Sequence, residues 1–196
     1  MLILFNKPYG VICQFSPSGD KPTLKNYINV PGVYPAGRLD TDSEGLLLLT
    51  DDGVLQARIA DPRYKLMKTY WAEVEGIPTI ADLKPLHAGI DLGDFVAKPA
   101  QARLMPPPPT LWPRNPPVRF RKEIPTQWLE IGIVEGKNRQ VRRMTARIGY
   151  PTLRLIRAAI GDWRLDVIPS GKWLRAAAGA DQLGAKKGDN KAEKKA

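Results

Sequence analysis

The stretch AGRLDTDSEGLLLLTDDG at residues 36–53 joins a charged turn directly to a short apolar run. The four leucines at residues 46–49 are too few for a typical helix and predict a buried strand. Asp40 in the turn is therefore expected at the mouth of the core, where a carboxylate is partly stripped of water and held by rigid structure. Such a position suits a nucleophile or a general base.

The same turn has two other interpretations. Asp-rich turns before strands are common, so a purely structural turn stays open. The turn also has an EF-hand spacing, with carboxylates at loop positions 1, 3, 5 and 12 and a glycine at position 6, from Asp40, Asp42, Glu44, Asp51 and Gly45. An EF-hand needs a helix on each side and a Glu at position 12. Here prolines and glycines precede the turn and a strand pattern follows it, so we expect no metal ion.

The composition restricts the chemistry that this chain can perform. Its 196 residues are enough for one large domain or two small ones. Cys13 is the single cysteine and His87 the single histidine, which excludes an internal disulfide, a Cys/His zinc cluster and a supported Cys-His or Ser-His pair. Any catalysis must use carboxylate, Tyr, Lys or Arg side chains, and we expect no cofactor.

The positive charge is concentrated in one part of the sequence. The chain carries a net charge of +10, and residues 110–157 hold eleven Lys and Arg against three Glu. Such clustering favours a polyanion, and nucleic acid rather than a membrane surface, because no amphipathic membrane helix accompanies it. No apolar stretch has transmembrane length and no signal peptide is evident, which predicts a cytoplasmic protein.

The first part of the chain predicts short elements. Strands are expected at residues 2–5 and 11–15 around a Lys-Pro-Tyr-Gly turn, followed by a short helix at residues 23–28. Asp52 is placed to cap a helix that ends before Pro62.

The middle of the chain predicts a capped helix and three strands. A capping-box pattern at residues 79–82 begins a helix that Gly89 would end. Alternating residues predict strands at 68–75, 128–134 and 153–160, and Tyr70 shares the apolar face of the first of them.

Two segments lack the pattern of a regular element. The proline-rich residues 106–125 predict a long surface loop, which is either a structured linker or a stacking surface for exposed bases. Residues 177–196 lack apolar periodicity and are expected to be a disordered basic tail. The folded domain is therefore predicted to span residues 1–176.

The segment at residues 138–149 predicts a helix with Asn138 as its N-cap and Gly149 at its end. Helical spacing places Val141, Met144, Thr145 and Ile148 on a buried face. Arg139, Arg143 and Arg147 lie opposite, and Arg142 falls at the border. Arg142 is thus the arginine of this helix that can turn inward beside the core.

Four motifs in this order resemble those of the RsuA-type pseudouridine synthases: NKPYG at residues 6–10, GRLDTDSEGLLLLT at 37–50, KTYWAEVEG at 68–76 and EGKNRQVRRMTARIGYPTLRLIR at 135–157. The WPRNPP loop and the NRQVRRM helix resemble most closely the subgroup of the large ribosomal subunit synthases. The resemblance covers nearly the whole chain up to the tail.

The resemblance implies an α+β catalytic domain on a mixed, largely antiparallel sheet with a central cleft. It implies isomerisation of uridine to pseudouridine in ribosomal RNA, most closely 23S rRNA, by a monomer without metal or cofactor. Asp40 matches the catalytic aspartate, Tyr70 the active-site tyrosine, Arg142 the basic partner of the aspartate and Leu155 an apolar contact under the ring. Arg38 matches a residue that fills the stack when the nucleotide is flipped.

Many relatives carry an N-terminal RNA-binding S4 domain, whereas this sequence opens on the first catalytic motif. RNA binding is therefore expected to come from the basic segment, including Arg139, Arg143 and Arg147. Two alternatives stay open: the same reaction on small-subunit rRNA or tRNA, and a non-catalytic RNA-binding ribosome-assembly factor. A pure binder has no use for a half-buried carboxylate that repels phosphate, so Asp40 favours the enzyme.

Overall fold

The computed structural model describes residues 1–118 and 123–176. The strands are β1 (Leu2–Lys7), β2 (Tyr34–Pro35), β3 (Glu44–Thr50), β4 (Lys68–Glu75), β5 (Ile90–Asp91), β6 (Val96–Ala97), β7 (Gln101–Met105), β8 (Thr126–Ile133), β9 (Thr152–Ile160), β10 (Trp163–Arg164) and β11 (Trp173–Arg175). The helices are α1 (Gly53–Ala60), α2 (Lys84–Ala88) and α3 (Gln140–Arg147), with 3₁₀ turns at Leu24–Asn26, Pro62–Tyr64 and Ala81–Leu83.

One mixed sheet organises the fold, in the order β11-β1-β3-β9-β4-β8-β7, with β2 added to β3 and β10 to β9. Strands β5 and β6 form a separate hairpin. Among the described strand pairs, β3 with β9 is parallel and the others are antiparallel. The predicted α+β class and mixed, largely antiparallel sheet are confirmed.

All seven residues of strand β3 are buried, which shows that the strand lies in the middle of the core. Leu46 and Leu48 pack on the sheet face that α1 covers, while Leu47 and Leu49 pack on the opposite face against the N-terminal segment. The prediction of a buried strand from the leucine run is confirmed. Consecutive leucines place apolar side chains on both faces of the strand, so both faces are packed away from solvent.

Gly45 allows β3 to meet β9. Its φ is +101°, and a Cβ built there would lie 2.5 Å from the backbone oxygen of Arg157 and 2.8 Å from its nitrogen. A side chain at this position would push the two strands apart. The glycine therefore fixes the turn that carries Asp40 against the strand that carries Leu155.

Several local predictions are confirmed. Strand β4 has the predicted bounds, and Asp52 caps α1 by accepting hydrogen bonds from the backbone N–H groups of Val54 and Leu55 at 2.8 and 3.1 Å. Gly89 ends α2 with a positive φ of 93°. In the helix at residues 140–147, Val141, Met144 and Thr145 are buried as predicted.

Three local predictions are wrong. Residues 11–15 form no strand, because Lys7 Nζ binds the backbone oxygen of Val11 at 2.8 Å and the next residues pair with loop backbone instead. The helix expected at residues 23–28 is only the 3₁₀ turn Leu24–Asn26. Asn138 does not cap α3. Arg139 takes that position in the left-handed region, without a side-chain cap.

The described part of the proline-rich segment is a structured linker. Trp112 Nε1 donates a 2.8 Å hydrogen bond to Glu44, and the guanidinium of Arg114 lies 4.4 Å from the centre of the Tyr9 ring. The Trp112 side chain is therefore tied to Glu44 and packs, partly buried, against the core. Residues 119–122 and the predicted tail at 177–196 lie outside the described residues. No helix within residues 1–118 and 123–176 has the length and apolar character needed to cross a membrane.

Candidate active site

A cleft of about 250 Å³ opens where the turn before β3, the starts of β4 and α3, and the middle of β9 come together. Five of the eight predicted site residues line it: Arg38, Asp40, Tyr70, Arg139 and Leu155. Arg142, Arg143 and Arg147 do not line it. The cleft unites residues that are far apart in the sequence because β4 and β9 are neighbours and β3 runs parallel to β9.

The sheet supplies the floor of the cleft. Tyr70 on β4 lies opposite Arg157 on β9 in the antiparallel register, and Leu155 is two residues away on the same strand. Tyr70 is 7% exposed and Leu155 is 4% exposed. A planar base that enters the cleft therefore meets an aromatic ring and an aliphatic side chain, as the alternation of β4 predicted for Tyr70.

The turn at Asp40 is fixed through its backbone, while its carboxylate is left free. Ser43 N–H donates to the backbone oxygen of Asp40 at 3.0 Å, and Gly10 N–H donates to that of Thr41 at 2.8 Å. Asp40 is partly exposed. Within the described part of the chain, its carboxylate has no hydrogen bond or ion pair. It is thus held at the cleft by rigid structure but is not neutralised by a direct contact.

Arg142 turns inward as predicted, but its partner is Asp42 and not Asp40. Arg142 Nη2 donates to the backbone oxygen of Asp42 at 2.7 Å, and Nε lies 3.5 Å from Asp42 Oδ2. Because α3 starts beside the turn, the guanidinium of Arg142 reaches Asp42, two residues after Asp40. Burial lowers the pKa of Arg142, an effect that the nearby Asp42 carboxylate opposes, with a weaker contribution from Asp40.

Asp42 is the centre of an ion-pair network that the sequence did not reveal. It receives two parallel hydrogen bonds from Arg139, Nη1 at 3.0 Å and Nη2 at 2.9 Å. Partial burial alone would raise the pKa of Asp42, but the hydrogen bond from Arg139 and the charge of Arg142 outweigh it and hold the pKa below its usual value. The network ties the start of α3 to the turn that carries Asp40.

The chain before α3 is held in an uncommon conformation. Arg139 has a φ of 50°, in the left-handed region that few non-glycine residues adopt. The buried Gln140 supports it, because its side chain accepts from Lys137 N–H at 3.1 Å and donates to Glu135 at 2.7 Å. This arrangement turns the Arg139 side chain toward Asp42. Asn138, which would be the ordinary cap, is left exposed on the cleft rim.

The other two arginines of α3 differ from each other. Arg143 forms an ion pair with Asp94, donates to the backbone oxygen of Leu92 at 2.8 Å and lies 5.1 Å from the centre of the Phe95 ring. It fastens the β5–β6 hairpin to α3 and is not a free RNA contact. Arg147 is exposed and has no partner among residues 1–118 and 123–176. Arg143 and Arg147 were both predicted to point to solvent or RNA, and of these two only Arg147 does so.

A buried ion pair between Glu44 and Arg154 holds the end of the turn, where β3 begins. Arg154 donates to both carboxylate oxygens of Glu44, Nε at 2.8 Å and Nη2 at 2.9 Å, and Trp112 also donates to Glu44. The carboxylates of Asp42 and Glu44 therefore point to different arginines, and strand β3 follows the turn where an EF-hand needs a helix. The EF-hand interpretation is wrong. Among the described residues, no group of three His, Cys, Asp or Glu side chains is placed to hold a metal ion.

Two buried lysines near the cleft were also missed. Lys7 is fully buried and donates to the backbone oxygens of Pro8 and Val11 at 2.9 and 2.8 Å. Burial lowers the pKa of Lys7 to about 8. Lys68 is 7% exposed and lines the cleft. In the sequence, Lys68 precedes Tyr70 by two positions, so the alternation that placed Tyr70 on the apolar face also placed Lys68 there.

Comparison with known proteins agrees with the fold and the cleft. Residues 1–147 match the RNA pseudouridylate synthase family, and the chain belongs to that family. It is 59% identical over 170 residues to the ribosomal large subunit pseudouridine synthase E of Xanthomonas axonopodis pv. citri, covering 86% of this chain and 90% of the relative. It is 54% identical to the protein of the same description from Vibrio vulnificus, covering 88% and 73%.

A solved structure shows the same architecture. A crystal structure of a pseudouridylate synthase superimposes with a TM-score of 0.76 at 28% sequence identity, covering 92% of this chain and 72% of that chain. The identification of the chain as a pseudouridine synthase is thus supported by the family, by close relatives and by the fold.

Proposed function

We propose that this enzyme converts uridine to pseudouridine in 23S ribosomal RNA, with Asp40 as the nucleophile. The observation that carries the proposal is the Asp40 carboxylate, which is held at the mouth of a cleft floored by Tyr70 and Leu155 and has no direct partner among the described residues. The similarity to large-subunit synthases supports ribosomal RNA as the substrate. Such a substrate implies action in the cytoplasm. The catalytic unit spans residues 1–176 and acts as a monomer.

The reaction breaks a C–N glycosidic bond and re-forms the link through carbon. A carboxylate can hold an intermediate during this exchange without a metal or cofactor. Arg139 and Arg142 contact Asp42 directly and also place positive charge near Asp40. Arg142 is therefore a positioning residue that holds the turn, rather than a direct partner of Asp40.

The uridine must leave its stack to reach Asp40. Flipping costs on the order of a few kcal/mol, offset by contacts in the pocket and to the phosphates. Tyr70 and Leu155 provide the pocket. Arg38 is exposed at the cleft rim, where it can fill the gap that the flipped nucleotide leaves. Arg147 is free to contact phosphate, whereas the ion pairs of Arg139 and Arg143 must open before either can do so.

The test is a map of pseudouridines in ribosomal RNA from cells with and without this gene. One uridine of 23S rRNA is expected to lose its modification without the gene. A changed site in 16S rRNA or tRNA would overturn the 23S substrate, and an unchanged map would favour a non-catalytic binder.

The purified protein tests the role of Asp40. Asp40→Asn should abolish turnover and leave RNA affinity within a few fold, because Asn keeps the size but is no nucleophile. Arg147→Ala is the matched control, and it should weaken RNA binding while turnover at saturating RNA stays near wild type. Measurable turnover by Asp40→Asn would show that another residue is the nucleophile.

A further inference from the structure

Lys68 is a buried cation whose role the proposed reaction does not yet explain. Its side chain is 7% exposed, and its Nζ has one long hydrogen bond, 3.4 Å to the backbone oxygen of Leu66. Within residues 1–118 and 123–176 it has no carboxylate partner. An ammonium group has three donors, so this one retains donor capacity that the described protein does not satisfy.

Lys68 faces the same cleft as the proposed catalytic residues. It begins β4 two residues before Tyr70, so both side chains lie on one face of the sheet, about 7 Å apart along the strand. The Cε atom of Lys68 lies 3.9 Å from the position that a Cβ on residue 136 would take. The end of the side chain that carries the amine is therefore beside the segment that leads into α3. Gly136 and Lys68 both line the cleft.

The cations around the cleft fall into two groups by depth. Arg38, Lys137 and Arg139 are exposed on the rim, where they are accessible to the phosphates of an RNA. Lys68 is buried on the floor, with Ile133 as its strand neighbour and the buried Arg157 nearby. A phosphate can bind the cations of the rim, and moving its charge to the buried floor would cost free energy. A neutral base can be buried on the floor at a much lower cost. The group that meets Lys68 is therefore part of the base.

We infer that Lys68 donates a hydrogen bond to a carbonyl oxygen of the flipped uracil and stabilises the charge that develops on the ring during the reaction. This inference rests on the proposed function. When the C1′–N1 bond breaks, its electron pair stays on the ring and spreads to the carbonyl oxygens. Asp40 holds C1′ through a bond that forms as the C1′–N1 bond breaks. C5 then bonds to C1′ and releases the Asp40 carboxylate, C5 loses its proton and N1 gains one, so the exchange balances without an oxidant or reductant.

The electrostatics of the floor fit this role. Burial lowers the pKa of Lys68, and the neighbouring Arg157 lowers it further. Arg157 also lines the cleft, is 2% exposed and donates to the backbone oxygen of Leu46 at 2.8 Å. Burying two positive charges close together costs free energy unless a negative group lies nearby. The uracil ring gains negative charge when the C1′–N1 bond breaks, so its attraction to the two cations is strongest at that point of the reaction.

The protein-side test compares Lys68→Met with Lys84→Met, since Lys84 is exposed on α2 and does not line the cleft. Met resembles the aliphatic part of the lysine side chain in size and removes the Nζ donors. Single-turnover rates at saturating RNA should fall about a hundredfold to a thousandfold for Lys68→Met, the usual loss when one such donor is removed. Lys84→Met, on the exposed surface of α2 and outside the cleft, should leave this rate within threefold. Thermal unfolding checks that both variants are folded, and a Lys68→Met rate within threefold of wild type would overturn the inference.

A substrate-side test keeps the inference falsifiable if Lys68→Met fails to fold. RNAs carrying 2-thiouridine or 4-thiouridine at the target position are given to the wild-type enzyme, since sulfur accepts hydrogen bonds poorly. One of the two should slow the single-turnover rate at least tenfold, and it identifies the oxygen that Lys68 contacts. Equal rates for both thio-substrates and uridine would contradict the contact. An inactive wild-type enzyme on every RNA would instead reject the proposed function.

Discussion

Arg142 and Asp42 are joined by two contacts, a 2.7 Å hydrogen bond to the Asp42 backbone oxygen and a 3.5 Å approach of Nε to its carboxylate. The pair links the first turn of α3 to the residue that follows Asp40 by two positions. Because the contact reaches both the backbone and the side chain of Asp42, it constrains the shape of the turn. The orientation of Asp40 thus depends on an arginine that it does not touch.

A double-mutant cycle should detect this coupling. Arg142→Ala, Asp42→Ala and the double variant are compared by denaturant unfolding. We expect a coupling of about 1 kcal/mol, since the Asp42 side chain is one third exposed and solvent screens the pair. Single-turnover rates should fall in all three variants, because each loosens the turn. Additive losses in stability would show that the two side chains act independently.

The exposed pair Arg143 and Asp94 gives the control for that cycle. It joins the same helix to the β5–β6 hairpin, away from Asp40. We expect a smaller coupling in stability there than between Arg142 and Asp42, because Asp94 is more exposed than Asp42, and a single-turnover rate close to wild type. Loss of rate in the control cycle would mean that any disturbance of α3 reaches the cleft, and that Asp42 has no special position.

The sequence predicted the sheet better than it predicted the connections within the site. The leucine run and the alternation of β4 are local patterns, and they predicted the buried strand beside Asp40 and the face of Tyr70 correctly. The position of Leu155 in the same cleft was implied only by the family resemblance. The partner of Arg142 depends on how α3 meets the turn, which is set by the left-handed Arg139 and the buried Gln140. That conformation follows from tertiary contacts, so a capping rule that favours Asn138 could not reveal it.

The buried pair of Glu44 and Arg154 should be important for stability. Glu44→Gln removes the charge and leaves the Arg154 guanidinium, 4% exposed, without its counter-ion. We expect a loss of about 3–5 kcal/mol in the free energy of unfolding. The matched control is Glu130→Gln, whose partner Arg103 is 66% exposed and which should change stability by less than about 0.5 kcal/mol. Urea denaturation measures both, and equal effects would show that burial does not decide the outcome.

Gly45 should be intolerant of substitution. In Gly45→Ala the new Cβ meets the Arg157 backbone and the φ of +101° becomes strained. We expect the loss to exceed about 2 kcal/mol, since neither strand can shift without breaking the sheet. Gly53→Ala is the control, because Gly53 begins α1 and has open space around its Cβ position. It should be neutral or stabilising by up to about 1 kcal/mol. Comparable losses in the two variants would contradict the close approach of β3 and β9.

Lys7 should make stability rise with pH in the alkaline range. Its pKa is about 8 in the folded protein, lowered by burial from 10.5. Below pH 8 both the folded and unfolded states carry the proton, so the cost of burying the charge is fully present. Between pH 8 and 10.5 the folded state has lost the proton while the unfolded state keeps it, and the free energy of unfolding therefore increases with pH.

Comparison with Lys7→Met isolates this effect. From pH 7 to 10.5, the stability of the wild type relative to Lys7→Met should increase by roughly 3 kcal/mol, which corresponds to the lowering of the pKa at 1.36 kcal/mol per unit. The neutral amine still has two N–H donors for the oxygens of Pro8 and Val11, so the fold keeps these hydrogen bonds. The exposed Lys25→Met should give a curve parallel to the wild type. Urea titrations at several pH values measure all three proteins, and a Lys7→Met curve parallel to the wild type would mean that Lys7 keeps an ordinary pKa in the folded state.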